Sequence, residues 1–128
     1  MCMKEITYFL NNDNETEFVT FYVGQNANEN DNLIDSADEN DLWFHCDALP
    51  SCHIISKIPD GLDIIINKNK KIKQQFLKKG CLLVKENTNA LKNNNNKLNF
   101  IVCKITDIKK LKKPGQVQCN KIYKRISI

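Results

Sequence analysis

The sequence predicts an α+β fold over one domain, residues 1–128, with a mostly antiparallel β-sheet, one main helix and a short second helix. Runs rich in β-branched and aromatic residues alternate with short polar connections, which favours antiparallel strands. Only residues 71–88 repeat their apolar positions at helical spacing. With 128 residues, of which 41% are hydrophobic, the chain can bury roughly two thirds of its surface.

The first elements are two strands and a short polar helix. Residues 5–10 (EITYFL) and 18–24 (FVTFYVG) have strand composition, and the polar segment between them predicts a hairpin connection. Gly24 ends the second strand. Residues 26–37 form the short helix, with acidic residues in its early turns, where the helix dipole favours them.

Two further strands follow, at residues 41–49 (DLWFHCDAL) and 52–58 (CHIISKI). Pro50 ends the first of them, and a turn at residues 59–61 (PDG) ends the second. Alternation places Trp43 and His45 on one face and Leu42, Phe44 and Cys46 on the other.

The second half begins with the main helix, whose stripe is Ile72, Phe76, Leu83, Val84 and Asn87. Gly80 lies within the stripe and indicates either close packing or a weak point. Residues 98–105 form a strand, and residues 106–117 form a basic loop with a helical turn. The segment from residue 117 to the end forms a strand or a hairpin.

Charge is divided unevenly along the chain. Residues 1–64 contain two lysines and 13 acidic residues, a net charge of −11. Residues 65–128 contain 17 basic and two acidic residues, a net charge of +15. A concentrated positive field attracts polyanions such as nucleic acid or anionic lipid, although a solvated lysine-rich surface would give the same count.

The chain contains no stretch that resembles a signal peptide or a membrane span, so we expect a cytoplasmic protein without a membrane segment. Its six cysteines are then expected to be reduced, without a disulfide framework. No cofactor is expected.

The segment from Asp41 to Ile54 (DLWFHCDALPSCHI) combines His45-Cys46 with Cys52-His53 and raises the question of a metal or catalytic site. Neighbouring residues of a strand point to opposite faces, so the four side chains cannot converge on one zinc ion. A Cys-His nucleophile pair is geometrically open, but no glycine loop or orienting carboxylate accompanies it. We therefore expect neither a metal site nor catalytic residues.

The same segment, with residues 23–34 (VGQNANENDNLI), resembles the NFACT-R family of RNA-binding domains. The spacing of Asp-x-Leu-x-Ser-x-His at residues 47–53 is similar to the stand-alone branch, the coiled-coil domain-containing protein 25 family. Residues 82–88 (LLVKENT) and 107–117 (DIKKLKKPGQV) fit the same pattern. The residues that carry the resemblance are Gly24, Asn26, Asn30, Leu33, Asp41, Leu42, Trp43, Phe44, His45, Ser51 and His53.

The resemblance implies a non-enzymatic module that binds structured RNA, tRNA or ribosomal RNA, within ribosome-associated quality control. The alternatives are a DNA-binding module, an adaptor that docks on ribosomal or quality-control proteins without touching RNA, and a small enzyme using His45, Cys52 and His53.

Lysine and arginine neutralise phosphates, so basic clusters are the candidate contacts. One cluster surrounds Gly115, whose backbone could approach a phosphate closely. A second lies at the start of the main helix, and a third lies near the end of the chain. Their members are Lys109, Lys110, Lys112, Lys113 and Gly115; Lys70, Lys71 and Lys73; and Lys124 and Arg125.

Overall fold

The computed structural model describes residues 4–12, 15–59 and 61–128. Within these residues, six antiparallel strands form one sheet in the order β1-β2-β4-β3-β5-β8, and β6 pairs with β7 in a separate hairpin. The strands are β1 (Lys4–Asn12), β2 (Glu15–Gly24), β3 (Leu42–Cys46), β4 (His53–Lys57), β5 (Asn99–Lys104), β6 (Ile108–Lys110), β7 (Val117–Cys119) and β8 (Lys124–Ser127). The helices are α1 (Ala27–Ser36), α2 (Leu62–Lys68) and α3 (Lys70–Glu86). The predicted α+β class is confirmed.

Strand register divides the central side chains between two faces. Trp43 on β3 lies opposite Ile55 on β4 and opposite Cys103 on β5. Because side chains alternate along a strand, these three residues share one face, and Phe44 with Val102 occupies the other. We call them the α1 face and the α3 face, after the helices that cover them.

Helix α3 covers the main core. It begins where the Asn69 side chain accepts a hydrogen bond from the Ile72 amide, 3.1 Å away, as N-cap residues do. Its buried stripe is Ile72, Phe76, Leu77, Gly80, Cys81, Leu83 and Val84. A Cβ atom on Gly80 would lie 2.6 Å from Phe44 Cδ2, so this glycine lets the helix approach β3 closely. Of the two readings of Gly80, close packing is confirmed.

The α1 face has a smaller core. Leu33 of α1 is buried there with Trp43, Ile55 and Cys103, and the β6–β7 hairpin packs beside them. A disulfide bond joins Cys103 on β5 to Cys119 on β7 and ties the hairpin to the sheet. The expectation that all six cysteines are reduced is therefore wrong, because the fold brings together two cysteines that lie 16 residues apart in sequence.

The structure also differs from the sequence predictions at several short helices and strands. Helix α2 was not predicted, because three consecutive isoleucines hide its helical spacing; it buries Leu62 and Ile66, four residues apart. Residues 106–117 are not simply a loop, since β6 lies among them after a 3-10 turn. The end of the chain is not one hairpin, because β7 pairs with β6 whereas β8 pairs with β5. Strands this short have too few residues for alternation to reveal them.

Two predicted connections fall partly outside the described residues, the hairpin connection at residues 13 and 14 and the turn at residue 60. In the described part of the chain, no helix is long and apolar enough to cross a membrane.

Candidate nucleic-acid interface

Three rings form a cluster on the α1 face. Trp43 and His45, two residues apart on β3, stack in parallel with their centroids 5.1 Å apart. His53, at the start of β4, stands nearly perpendicular to both rings at 5.3 and 5.0 Å. The prediction that Trp43 and His45 share a face is confirmed, and the fold adds His53 to them.

Hydrogen bonds fix the protonation of both imidazoles. The indole N–H of Trp43 donates to His53 Nδ1 at 3.2 Å, so the His53 hydrogen is on Nε2. His45 Nδ1 lies 2.6 Å from the Cys46 carbonyl oxygen, which only accepts, so the His45 hydrogen is on Nδ1 and Nε2 is an acceptor. Burial lowers the pKa of His53 to about 3 and lowers the pKa of His45 as well, so both rings are neutral at pH 7.

The three rings form the floor of an open pocket, which we call the hairpin pocket. Residues 46–50 line one side of it, and Leu111 with residues 115–117 lines the other. It therefore lies between the β3–β4 connection and the β6–β7 hairpin.

The remaining motif residues hold the strands that carry these rings. Asp41 is buried and accepts hydrogen bonds from the Asp38 amide and from Lys57 Nζ, each at 2.8 Å. Ser51 Oγ accepts from the Cys46 amide at 3.1 Å and so fixes the end of β3. Phe44 is fully buried in the α3-face core. These three residues act on the fold rather than on a ligand.

The other motif residues position α1. Asn26 caps the helix by accepting from the Glu29 amide at 2.9 Å, and Glu29 accepts in return from the Gln25 amide. A Cβ atom on Gly24 would lie 2.9 Å from Leu33 Cδ1, so glycine lets α1 pack on the end of β2. Asn30 is buried in the same contact.

The His-Cys segment is divided between the two faces. Cys46 and Cys52 lie in the α3-face core, whereas His45 and His53 lie on the α1 face. Burial raises the pKa of both thiols, which is the opposite of what a nucleophilic cysteine requires. Among the described residues, no three histidine, cysteine or acidic side chains are arranged to hold a metal ion.

The hairpin lysines differ in their surroundings. Lys110 pairs with Asp35 at 2.7 Å and Asp31 at 3.1 Å, and these α1 carboxylates raise its pKa. The three other predicted lysines of the hairpin are exposed: Lys109, Lys112 and Lys113. A Cβ atom on Gly115 would lie 2.9 Å from the Cα of Ala27, so this glycine, at φ +79°, serves contact with the start of α1.

A second basic surface lies between α3 and β8. Lys70, Lys73 and Lys78 of α3 face Lys124 of β8 across a groove, which we call the α3–β8 groove. Its other lining residues are Asn67, Gln74, Leu77 and Ile126, so the described lining contains no carboxylate. Two other predicted residues lie elsewhere: Lys71 is not in the lining, and Arg125 pairs with Asp47 at 2.7 Å.

Lysines also converge on Tyr123, beside the groove. The Nζ atoms of Lys73, Lys104 and Lys124 lie 4.9, 5.1 and 5.7 Å from the centre of its ring. The adjoining cavity also contains Glu39 and Asp63, so the positive charge is partly offset at that end.

Sequence reasoning missed Lys78, Lys104 and Tyr123 as site residues. For Lys78 a signal was present, because residues 70, 73, 74, 77 and 78 follow the spacing of one helical stripe. Lys104 and Tyr123 come to lie beside the groove only through the pairing of β5 with β8, which the sequence does not reveal.

The sequence profile of the NFACT protein RNA binding domain matches residues 5–120. This chain belongs to the NFACT RNA-binding domain family. The match runs from β1 to β7, so the NFACT profile includes the lysines of α3 and of the hairpin, whereas Lys124 on β8 lies outside it.

The NFACT chain is similar to curated coiled-coil domain-containing protein 25 sequences. The Mus musculus protein is 30% identical over 83 residues, which are 65% of this chain and 38% of that protein. The Danio rerio protein is 40% identical over 45 residues, 35% of this chain and 22% of that protein. The chain thus matches less than half the length of these relatives, and the resemblance predicted from the sequence is confirmed.

A solved structure shares the fold. The C-terminal part of the fibronectin/fibrinogen-binding protein from Streptococcus suis matches this NFACT chain with a TM-score of 0.65. The match covers 94% of this chain and 43% of the other at 23% identity. At this identity the likeness shows a common fold.

Proposed function

We propose that this chain binds structured RNA, tRNA or ribosomal RNA, by holding its phosphates along the α3–β8 groove. The observation that carries the proposal is the groove itself, which is lined by three lysines of α3 and by Lys124 of β8 without a carboxylate in the described lining. Membership of an RNA-binding domain family supports RNA as the polyanion. Lysines placed in this way release counterions when phosphates replace them.

The start of α3 adds to this argument. Lys70, Lys71 and Lys73 occupy its first turns, and the first turn contains no acidic residue. Positive charge at the positive end of a helix dipole costs about 0.3–1 kcal/mol for each residue. A bound phosphate offsets both the dipole and the repulsion among the lysines.

The proposed setting is ribosome-associated quality control in the cytoplasm, where the domain contributes RNA binding and no chemistry. The resemblance to the NFACT RNA-binding family supports this setting. The separation of Cys52 from His45 and His53 supports a non-enzymatic role, because these side chains lie on opposite faces of the sheet.

Two charge-matched variants test the groove. The groove variant replaces Lys70, Lys78 and Lys124 with Gln, and the hairpin variant replaces Lys109, Lys112 and Lys113 with Gln. All six lysines are exposed, and each variant loses three positive charges. Binding to labelled tRNA is measured by fluorescence anisotropy between 50 and 300 mM salt.

We expect the groove variant to bind more weakly and to lower the slope of log K against log salt by roughly 2 to 3 units, since each phosphate contact contributes about 0.7–0.9. The hairpin variant should change the slope less. A native protein that binds neither tRNA nor a ribosomal RNA fragment would refute the proposal and favour the adaptor. Equal losses in both variants would refute the groove as the phosphate site, and equal affinity for duplex DNA would refute RNA as the preferred ligand.

A further inference from the structure

The hairpin pocket is lined by both exposed apolar side chains and buried aromatic and imidazole rings. Leu49 lines it from the connection between β3 and β4 and Leu111 lines it from the β6–β7 hairpin, and the two residues are 43% and 44% exposed. Both large apolar side chains therefore expose apolar surface to water. A planar ligand bound in the pocket would cover that surface. The stacked pair of Trp43 and His45 forms its floor.

The backbone beside the pocket is held in an uncommon conformation. Ala48 has a φ of +68°, in the left-handed region that residues with a side chain rarely adopt. This residue directly precedes Leu49 and directs the connection between β3 and β4 around the pocket. Backbone strain of this kind concentrates at ligand sites.

The floor offers one hydrogen-bond donor and one acceptor. The acceptor is His45 Nε2, because His45 Nδ1 donates to the Cys46 carbonyl. The donor is the N–H at His53 Nε2, because His53 Nδ1 accepts from Trp43. The two rings lie 5.0 Å apart, centre to centre. The Watson–Crick edge of each nucleobase likewise has a donor beside an acceptor, and only an unpaired base has that edge free.

We propose that the hairpin pocket binds one unpaired nucleobase of the RNA, placed between Leu49 and Leu111 with its Watson–Crick edge towards His45 and His53. This inference rests on the proposed RNA binding and specifies which part of the RNA enters the site. Every base presents a donor–acceptor pair, so the pocket selects unpaired over paired RNA rather than one sequence over another. The phosphate contacts proposed for the α3–β8 groove involve none of the residues that line the hairpin pocket.

The test compares a uridine octamer with a blunt RNA duplex of eight base pairs and with a base-free ribose-phosphate octamer. The two hydrogen bonds from His45 and His53 to the base contribute about 1–3 kcal/mol together, so the native protein should prefer the single strand over either comparison ligand by roughly 5- to 150-fold. The only Trp of the chain lies in the pocket floor, so the uridine octamer should change its fluorescence and the base-free octamer should not.

Two variants locate the effect. His45→Phe keeps a ring beside Trp43 but removes both the Nε2 acceptor and the Nδ1 hydrogen bond to the Cys46 carbonyl, whereas Leu111→Ser changes an exposed side chain of the pocket lining and leaves both imidazoles in place. Each should reduce the preference for the single strand at least several-fold while leaving the salt slope unchanged. Should His45→Phe fail to fold, Leu111→Ser decides the question.

The results that would contradict base binding in the hairpin pocket differ from those that would contradict RNA binding as a whole. Equal native affinity for single strand and duplex, with a normal salt slope, overturns the pocket and leaves the groove intact. The same conclusion follows if both folded variants keep the native preference. Native protein that binds tRNA but none of the three ligands overturns the pocket alone, and native protein that binds neither tRNA nor any of the three overturns both proposals.

Discussion

Trp43 and His53 are joined by a hydrogen bond between the indole N–H and Nδ1 of the imidazole, 3.2 Å long, across neighbouring strands of the sheet. Both side chains are buried, with 3% and 5% of their surface exposed. This bond fixes the hydrogen of His53 on Nε2 and thereby sets the polarity of the hairpin pocket.

Replacing Trp43 should cost stability in two steps. Trp43→Phe leaves His53 Nδ1 without its donor and should lower the free energy of unfolding by about 1–3 kcal/mol. Trp43→Ala also removes the ring from the core and should cost about 3–5 kcal/mol. Urea denaturation followed by far-ultraviolet circular dichroism measures both. Equal losses in the two variants would show that the hydrogen bond contributes most of the stabilisation.

The buried imidazole of His53 should make the fold sensitive to acid. Burial lowers the pKa of His53 to about 3 from its ordinary value of 6.5, so the unfolded chain binds a proton below pH 6.5 that the folded chain does not. The stabilisation is therefore complete above pH 6.5 and declines as the pH falls towards 3.

Between pH 7.5 and 5 this single group should lower the free energy of unfolding by about 2 kcal/mol. His53→Gln removes the titration and should show a correspondingly shallower pH dependence in urea denaturation. The same slope in native protein and variant would contradict the burial of a neutral His53.

Gly80→Ala should destabilise the protein, although glycine in a helix is ordinarily less favourable than alanine by about 1 kcal/mol. The added Cβ would lie 2.6 Å from Phe44 Cδ2, and such overpacking costs about 1–3 kcal/mol. Gln75→Ala, at an exposed position of the same helix, is the control and should change stability little. A gain in stability from Gly80→Ala would contradict the close contact of α3 with β3.

The disulfide between Cys103 and Cys119 should stabilise the fold under oxidising conditions. A link between residues 16 apart in sequence restricts the unfolded chain by about 3 kcal/mol. Cys119→Ser should therefore be less stable than the native protein by about that amount before reduction. After both proteins are treated with a thiol reductant, the difference should disappear. An equal difference in both conditions would show that the serine, rather than the lost bond, is responsible.

The sequence predicted the sheet and the main helix because long strands and a long helix carry their own periodicity. The faces of Trp43 and His45 followed from alternation alone. His53 could not be placed beside them, because that contact depends on the register between β3 and β4. The α3–β8 groove depends in the same way on the pairing of β8 with β5, which brings Lys124 opposite Val102. Cys119 reaches Cys103 only because the β6–β7 hairpin folds back over the sheet.

The basic clusters show the same limit for function. The number of charges along the sequence does not distinguish Lys110 from Lys70, since both residues lie in lysine-rich segments. The fold separates them, because Lys110 lies between two carboxylates of α1 whereas Lys70 lines a groove whose described lining is free of acids. Which lysines form a surface of uniform positive charge therefore depends on how the helices and strands pack against one another.

The claim that RNA phosphates lie along the α3–β8 groove is tested most directly by acetylating lysines in the presence and absence of saturating tRNA, with mass spectrometry reading each residue. We predict that tRNA protects Lys70, Lys73, Lys78 and Lys124 from acetylation. Lys92, just beyond the opposite end of α3, is exposed and serves as the control, and its acetylation should not change. Unchanged acetylation of the four groove lysines, with tRNA demonstrably bound, would contradict the account.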